Sequence, residues 1–131
     1  MTDIEQLLVE WLDSNPETHG VHWHASVPKD RPNRFGTLMR TGGEETTFDS
    51  RPLVSVDAWG SSKPEAHDLA NATVRRLKLL PYYRGNLVHA VQIQSCSWDP
   101  DVSGQARYHI VLSLMVKDDS MNDFTDIPVF G

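Results

Sequence analysis

Ile4, Leu7, Leu8, Trp11 and Leu12 recur at the spacing i, i+3, i+4, i+7, i+8, one apolar stripe along about three turns of helix. Thr2 or Asp3 can cap its start, Asp3 and Glu5 suit the positive end of the helix dipole, and Asn15-Pro16 stops it. A helix this short is not stable alone, so its stripe must dock on something. The pattern then turns to strand-like segments. Val21–Val27 is rich in strand formers and is followed by the turn-rich PKDRPN. RFGTLMRT reads as a second strand, with Phe35, Thr37 and Met39 on one side and Leu38 on the other. Gly42-Gly43 is expected to break it, leaving EETTFDS as an acidic connection, and PLVSVDAWG as a third strand with Val54, Val56 and Ala58 on one face.

Ser62-Lys63-Pro64-Glu65 is a capping box, with serine at the N-cap, glutamate at N3 and proline tolerated in the first turn. The helix it opens places Ala66, Leu69, Ala70, Thr73, Leu77 and Leu80 on one side, and Pro81 ends it. Leu87–Trp98 reads as a long strand with Leu87, His89, Val91 and Ile93 facing one way. Asp99 to Gly104 is a hairpin connection, after which Tyr108, Ile110, Leu112, Leu114 and Val116 alternate with polar neighbours. The order is α-β-β-β-α-β-β. Hairpin-length links imply an α+β fold, a mostly antiparallel sheet of about five strands with two helices packed on it.

At 131 residues, with 39% hydrophobic and 23% charged, the chain suits one packed domain over 1–117, followed by an acidic segment, 118–131, with an apolar end. The formal net charge of −6 argues against a phosphate-gripping surface, although like charge keeps DNA from sticking to a wall it slides past. One cysteine rules out an intrachain disulfide framework. The first residues lack a basic start and a long apolar run, and no stretch nears the roughly 20 apolar residues of a membrane span. The expected setting is a cytoplasm, with no membrane.

No phosphate-binding loop, GxGxxG, GxSxG, HExxH or CxxC motif occurs. His22 and His24 could share a strand face but lack further ligands at a useful spacing, so no metal or other cofactor is expected. Cys96 is expected to be a buried, inert thiol, and Asp99 and Asp101 to make a turn rather than a calcium loop. Glu44, Glu45 and Asp49 are expected to form a solvated loop rather than a catalytic carboxylate pair. With no nucleophile–base pair, no catalytic residue is expected and an enzyme is the weakest reading. Arg31, Arg34, Arg40 and Arg51 bracket two strands and the acidic loop between them. They either form exposed ion pairs worth little each, or match basic flank to acidic loop between neighbouring copies.

Asp30-Arg31-Pro32-x-Arg34-Phe35-x-Thr37, Arg40-Thr41-Gly42-Gly43 and Asp49-x-Arg51-Pro52 resemble the tail terminator proteins of long, flexible-tailed phages. So do Val54, Val56 and Trp59, the alanine-rich helix after Ser61-Ser62, and Asp101-x-Ser103-Gly104-Gln105-x-Arg107-Tyr108. The similarity covers about residues 1–117, and Gly36 falls where such sequences usually carry a β-branched residue. The resemblance implies an α+β virion subunit in a hexameric ring on the last ring of the tail tube. That ring stops polymerisation, joins a neck or head completion protein, and lets DNA pass its lumen without specific binding. On this reading Arg40, Thr41, Gly42, Gly43, Glu44, Glu45 and Arg51 form a tube-facing arm. Arg31, Arg34, Phe124, Ile127, Val129 and Phe130 then contact a neighbouring copy or a neck protein. Alternatives are another head–tail connector, such as a neck adaptor, and a ligand- or nucleic-acid-binding domain.

Overall fold

In the computed structural model, residues 3–18, 20–45, 49–83 and 87–117 are described, with the backbone alone at Glu44, Glu45 and Asp49. Asp3 caps α1 (Ile4–Asp13), its carboxylate accepting from the Gln6 N–H at 3.1 Å. Ile4, Leu8 and Leu12 are buried, while Leu7 and Trp11 sit half-exposed on the flank of the stripe. Pro16–Thr18 makes one 3-10 turn, and β1 follows as two residues only, Trp23–His24. The strand expected over Val21–Val27 is thus far shorter. Val21 and Trp23 drop into the core, and past His24 the chain leaves the sheet along bends toward Pro28.

β2 spans Phe35–Glu45 and β3 spans Asp49–Gly60. Gly42-Gly43 does not break β2, contrary to the sequence expectation. The register shifts between Arg40 and Gly42, a bulge that takes up Thr41, and pairing resumes through Gly43↔Pro52, Glu44↔Arg51 and Glu45↔Ser50. Gly43 makes this possible: its φ is +114°, and a Cβ there would sit 2.2 Å from the Arg51 carbonyl oxygen. Part of the supposed acidic connection is therefore sheet, and residues 46–48 at its tip lie outside the described residues.

α2 (Lys63–Leu79) is capped by Ser62, whose hydroxyl accepts from Glu65 N–H. The Glu65 carboxylate takes the Ser61 hydroxyl, so one half of the expected capping box has this variant partner. Ala66, Leu69, Ala70, Thr73, Leu77 and Leu80 are all buried, as the periodicity requires. Pro81 lies in a 3-10 turn, Leu80–Tyr82, that ends the helix.

β4 (Val88–Trp98) and β5 (Ala106–Lys117) complete one sheet of order β1-β2-β3-β5-β4, antiparallel except for the short parallel pair β1–β2. β4 corrects a second expectation. A register shift between Val88 and Ala90 moves the phase by one, so Val88 is buried and His89 exposed. Leu38, Val56 and Ala58, with Ile110 and Leu112, form the sheet side of the core. α2 lies over β3 and β5, and α1 over β2. Both helices pack on that one side. The other face carries Met39, Leu53, Ser55, Asp57, His109, Val111, Ser113 and Met115 by strand alternation.

Candidate functional site

The motifs separated in the sequence converge on Trp59, at the helix-free face of the sheet. Trp59 is 2% exposed and stacks on Phe35, with ring centroids 5.0 Å apart and planes 13° apart. Its indole N–H donates to the Thr37 hydroxyl at 3.1 Å. The Arg31 and Arg107 guanidiniums approach the ring centroid to 5.4 and 5.0 Å, within cation–π range. Arg31 also donates to Asp101 at 3.1 Å, and Arg107 lies 3.5 Å from the other oxygen of the same carboxylate. The Gln105 amide reaches the Pro32 carbonyl. Residues from the β1–β2 connection, β2, β3 and the β4–β5 hairpin are thereby clasped together.

The hairpin is preshaped for this role. Gly104 N–H donates to the Asp101 carbonyl at 2.8 Å, Asp101 N–H to the Gln105 carbonyl at 3.1 Å, and Gly104 takes φ +87°. The Asp101 side chain accepts from the Ser103 hydroxyl and N–H, so the turn reading of this segment holds. The Ser103 hydroxyl first, then Arg31 and the Ser103 N–H, hold the Asp101 carboxyl well below the usual carboxylate range. With the folded pKa below the unfolded one, this contribution is complete above the ordinary aspartate value, near 4, and is lost as pH falls through the folded value. The melting-temperature advantage of wild type over Asp101→Asn is expected to hold from about pH 7 to about pH 4 and to shrink steadily as the pH falls further. Thermal melts at stepped pH check this, and an advantage undiminished at the acid end refutes it.

Of the other sequence-selected residues, Arg34 is half-buried, with its Nε lacking a hydrogen-bond partner among the described residues. Arg40 donates from Nε to the Gly42 carbonyl at 3.3 Å, and the Thr41 hydroxyl donates to the Leu53 carbonyl at 3.4 Å. Both contacts brace the bulge. Arg51 is exposed and, with Ala90, Gln92, Ser113, Leu114 and Met115, lines a shallow depression of about 240 Å³. Arg40, Thr41, Gly42, Gly43 and Arg51 lie together at one end of the β2–β3 ladder, where β3 also pairs with β5 through Ser50↔Val116 and Asp49↔Lys117, whereas Arg31 sits at the opposite end beside Trp59. Phe124, Ile127, Val129 and Phe130 lie outside the described residues.

Cys96 is exposed on β4 rather than buried, because β4 is the outermost strand of the sheet. Partial desolvation still pushes its thiol pKa up, which disfavours the reactive thiolate. Asp57 and His109 pair across β3 and β5 at 2.6 Å. Among the described residues no group of three or more His, Cys, Asp or Glu is placed to hold a metal ion. No described helix is long and apolar enough to cross a membrane.

Among the described residues the sheet has two margins with no further strand beside them. β4 is outermost on one side, and from Val88 to Trp98 it contains no Asp, Glu, Lys, Arg or Pro. On the other side β1 covers only Gly36 and Thr37, so the stretch from Met39 outward has β3 as its one strand neighbour among the described residues. Edge strands commonly carry charges or proline that discourage pairing, and β4 lacks both. Sequence reasoning did not foresee this feature, since only the strand order shows which strand is outermost.

No family model matches the chain, and no curated protein matches it. Solved structures do share its fold. A chain from the virion of a native gene transfer agent particle matches with a TM-score of 0.60 at 11% identity, over 86% of this chain and 85% of that one. The bacteriophage SPP1 gp17 protein matches with a TM-score of 0.53 at 15% identity, over 90% of this chain and 94% of that one. The arrangement of one five-stranded sheet with helices on a single face is therefore one that proteins from a virion particle and a bacteriophage also adopt.

Proposed function

We propose that this chain is a structural subunit of a phage virion, a tail terminator. Copies form a ring, hexameric on the family resemblance, that caps the head-proximal end of the tail tube, stops tube growth and presents its other side to a neck or head completion protein. The observation that carries this reading is the pair of open margins on opposite sides of one sheet. A contact between two different surfaces of the same chain either closes into a ring or grows as a filament. Pairing β4 of one copy with the outer β2 margin of the next satisfies both edges at once. Fold likeness to the virion chain and to the SPP1 protein supports the setting.

In this ring the Arg40–Arg51 arm is the tube-facing element, because it forms one end of the β2–β3 ladder with backbone pairing intact to Glu45. The acidic balance of the chain, −6 formally, suits a lumen through which DNA slides without sticking. Lysines at two exposed β4 positions, Gln92→Lys with Gln94→Lys, install the charge this edge lacks. Stability is expected to change by less than about 0.5 kcal/mol, as for most surface substitutions, while ring formation is lost. Urea titration and native mass spectrometry read the two effects. Rings that persist with both lysines in place count against edge pairing.

A further inference from the structure

The two margins of the sheet are roofed unequally. α1 lies over β1 and β2, and α2 lies chiefly over β3 and β5. Paired strands stand about 4.8 Å apart and packed helices roughly 8–10 Å apart, so one helix covers about two strands. β4, the fifth strand, is left over. Its helical side is apolar all the same. Val91 pairs with Leu114, Ile93 with Leu112, Cys96 with Ile110 and Trp98 with Tyr108, so each lies on the face those core-side residues occupy. Val91 and Ile93 are half-buried, Cys96 is exposed, and Trp98 is 39% exposed. The Trp98 ring leans on Tyr108 with centroids 5.4 Å apart, and the Lys63 ammonium, from the first turn of α2, stands 4.9 Å from the Trp98 ring centroid. Among the described residues no carboxylate pairs with Lys63.

Beside β2 the situation is reversed: a helix stands above a place that holds little strand. Glu5, Val9 and Asp13 recur every four residues and share one flank of α1. The Asp13 carboxylate accepts from the Trp23 backbone N–H at 2.9 Å, which turns this flank toward β1. β1 fills the place beside β2 only at Gly36 and Thr37. From this mismatch we infer that α1 of one copy roofs β4 of its neighbour, an inference that rests on the ring reading above. Val9 then lies on the row Val91, Ile93, Cys96 and Trp98, and Glu5 and Asp13 face Lys63. Two facts select a second copy as the occupant. The first is strand order. β2 and β4 run in opposite directions, so β4 of one copy enters the place beside β2 of the next as an antiparallel strand. The neighbour's α1 then stands two strands away from α2, the same spacing that separates α1 and α2 within one copy. The second is charge. α1 carries Glu5, Glu10 and Asp13 and no Lys or Arg, whereas β4 is uncharged and has Lys63 at its end.

Cys96, the chain's one cysteine, is the probe. Full-length Val9→Cys protein is assembled into rings, followed by native mass spectrometry, and treated with mild oxidant. A disulfide within one chain is out of reach. β2 and β4 are three strand spacings apart, about 14 Å, and bridged Cα atoms lie within roughly 7 Å. Disulfide-linked chains are expected to form at least several-fold faster than in Asn71→Cys, which puts the second thiol on the exposed side of α2. Glu5→Cys, on the same flank of α1, is the second variant and should behave as Val9→Cys does. Lys63→Glu, an acid suited to the first turn of a helix, should slow the linkage several-fold. In the wild-type chain Cys96 should react with a bulky maleimide several-fold more slowly in rings than in the ring-deficient Gln92→Lys with Gln94→Lys chain. Rings in which Cys96 stays reactive, or links equally to positions 9 and 71, overturn this inference and leave the ring standing. Protection that appears only after the rings bind tail tubes assigns the row to the tube protein and overturns it too. Absence of rings even with tubes present removes the ring reading itself, and this inference with it.

Discussion

Gly36→Val is expected to cost at least about 3 kcal/mol and to lower the melting temperature by roughly 10 °C, the upper end of what overpacking a core produces. Trp23 and Gly36 are partners across the β1–β2 pair, and the indole lies against the glycine. A Cβ on residue 36 would fall 2.2 Å from two ring carbons of Trp23. The ring has nowhere to retreat. Trp23 is 4% exposed, its backbone N–H is held by the Asp13 carboxylate at 2.9 Å, and the Gly36 N–H is tied to the His22 carbonyl at 3.0 Å. The test is a double-mutant cycle by urea denaturation. If the cost arises from this one collision, Gly36→Val and Trp23→Ala together should destabilise by clearly less than their sum. Additive costs, or a Gly36→Val melt like wild type, reject the explanation. The cycle also addresses why glycine stands where the resembling sequences carry a β-branched residue: here the space of that side chain is filled by Trp23.

Trp59→Ala is expected to cost about 3–5 kcal/mol, the range for removing a buried large aromatic. Its effect should also be uneven across the fold. The indole is the surface against which Phe35, Arg31 and Arg107 are placed, so its loss frees the β1–β2 connection from the β4–β5 hairpin. Hydrogen exchange should accelerate in residues 25–34 and 99–105 beyond what the fall in global stability explains. The centre of β3 and α2 should follow the global value. Trp59→Phe keeps the stacked ring but loses the bond to Thr37, so it should fall between. Uniform acceleration over the whole chain would show that Trp59 is ordinary core and not a clasp.

Helices were legible from the sequence because their signals are local. The Ser62 cap, the spacing from Ala66 to Leu80 and the stripe from Ile4 to Leu12 each involve residues a few positions apart. The clean alternation of β5 was equally readable, since it has strands on both sides and one face in the core. Errors fell where pairing decides geometry. Gly42-Gly43 reads as a break unless a bulge and the approach of Arg51 require glycine. His89 reads as core-facing unless a bulge beside it shifts the phase. Cys96 reads as buried unless one knows that its strand is the sheet margin.

The candidate site was legible only in pieces. Arg31, Arg34, Phe35, Thr37, Trp59, Asp101 and Arg107 were all picked out by resemblance, but their meeting point requires contacts across 70 positions of sequence. Their order along the chain shows which residues matter to the fold and not that they clasp one another. The open margins carried even less signal, because an uncharged strand such as β4 reads the same whether it is central or outermost. The bond from the Trp11 indole N–H to the Arg76 carbonyl joins helices across 65 positions of sequence, and no motif marks it.

The most direct measurement is cryo-electron microscopy of intact virions that carry this chain, resolving the junction between tail and head. The account expects a single closed ring of copies on the last ring of the tail tube, β4 of each beside β2 of the next and the Arg40–Arg51 arm against the tube. Copies found elsewhere in the particle, or a ring in which both sheet margins face solvent, would contradict it.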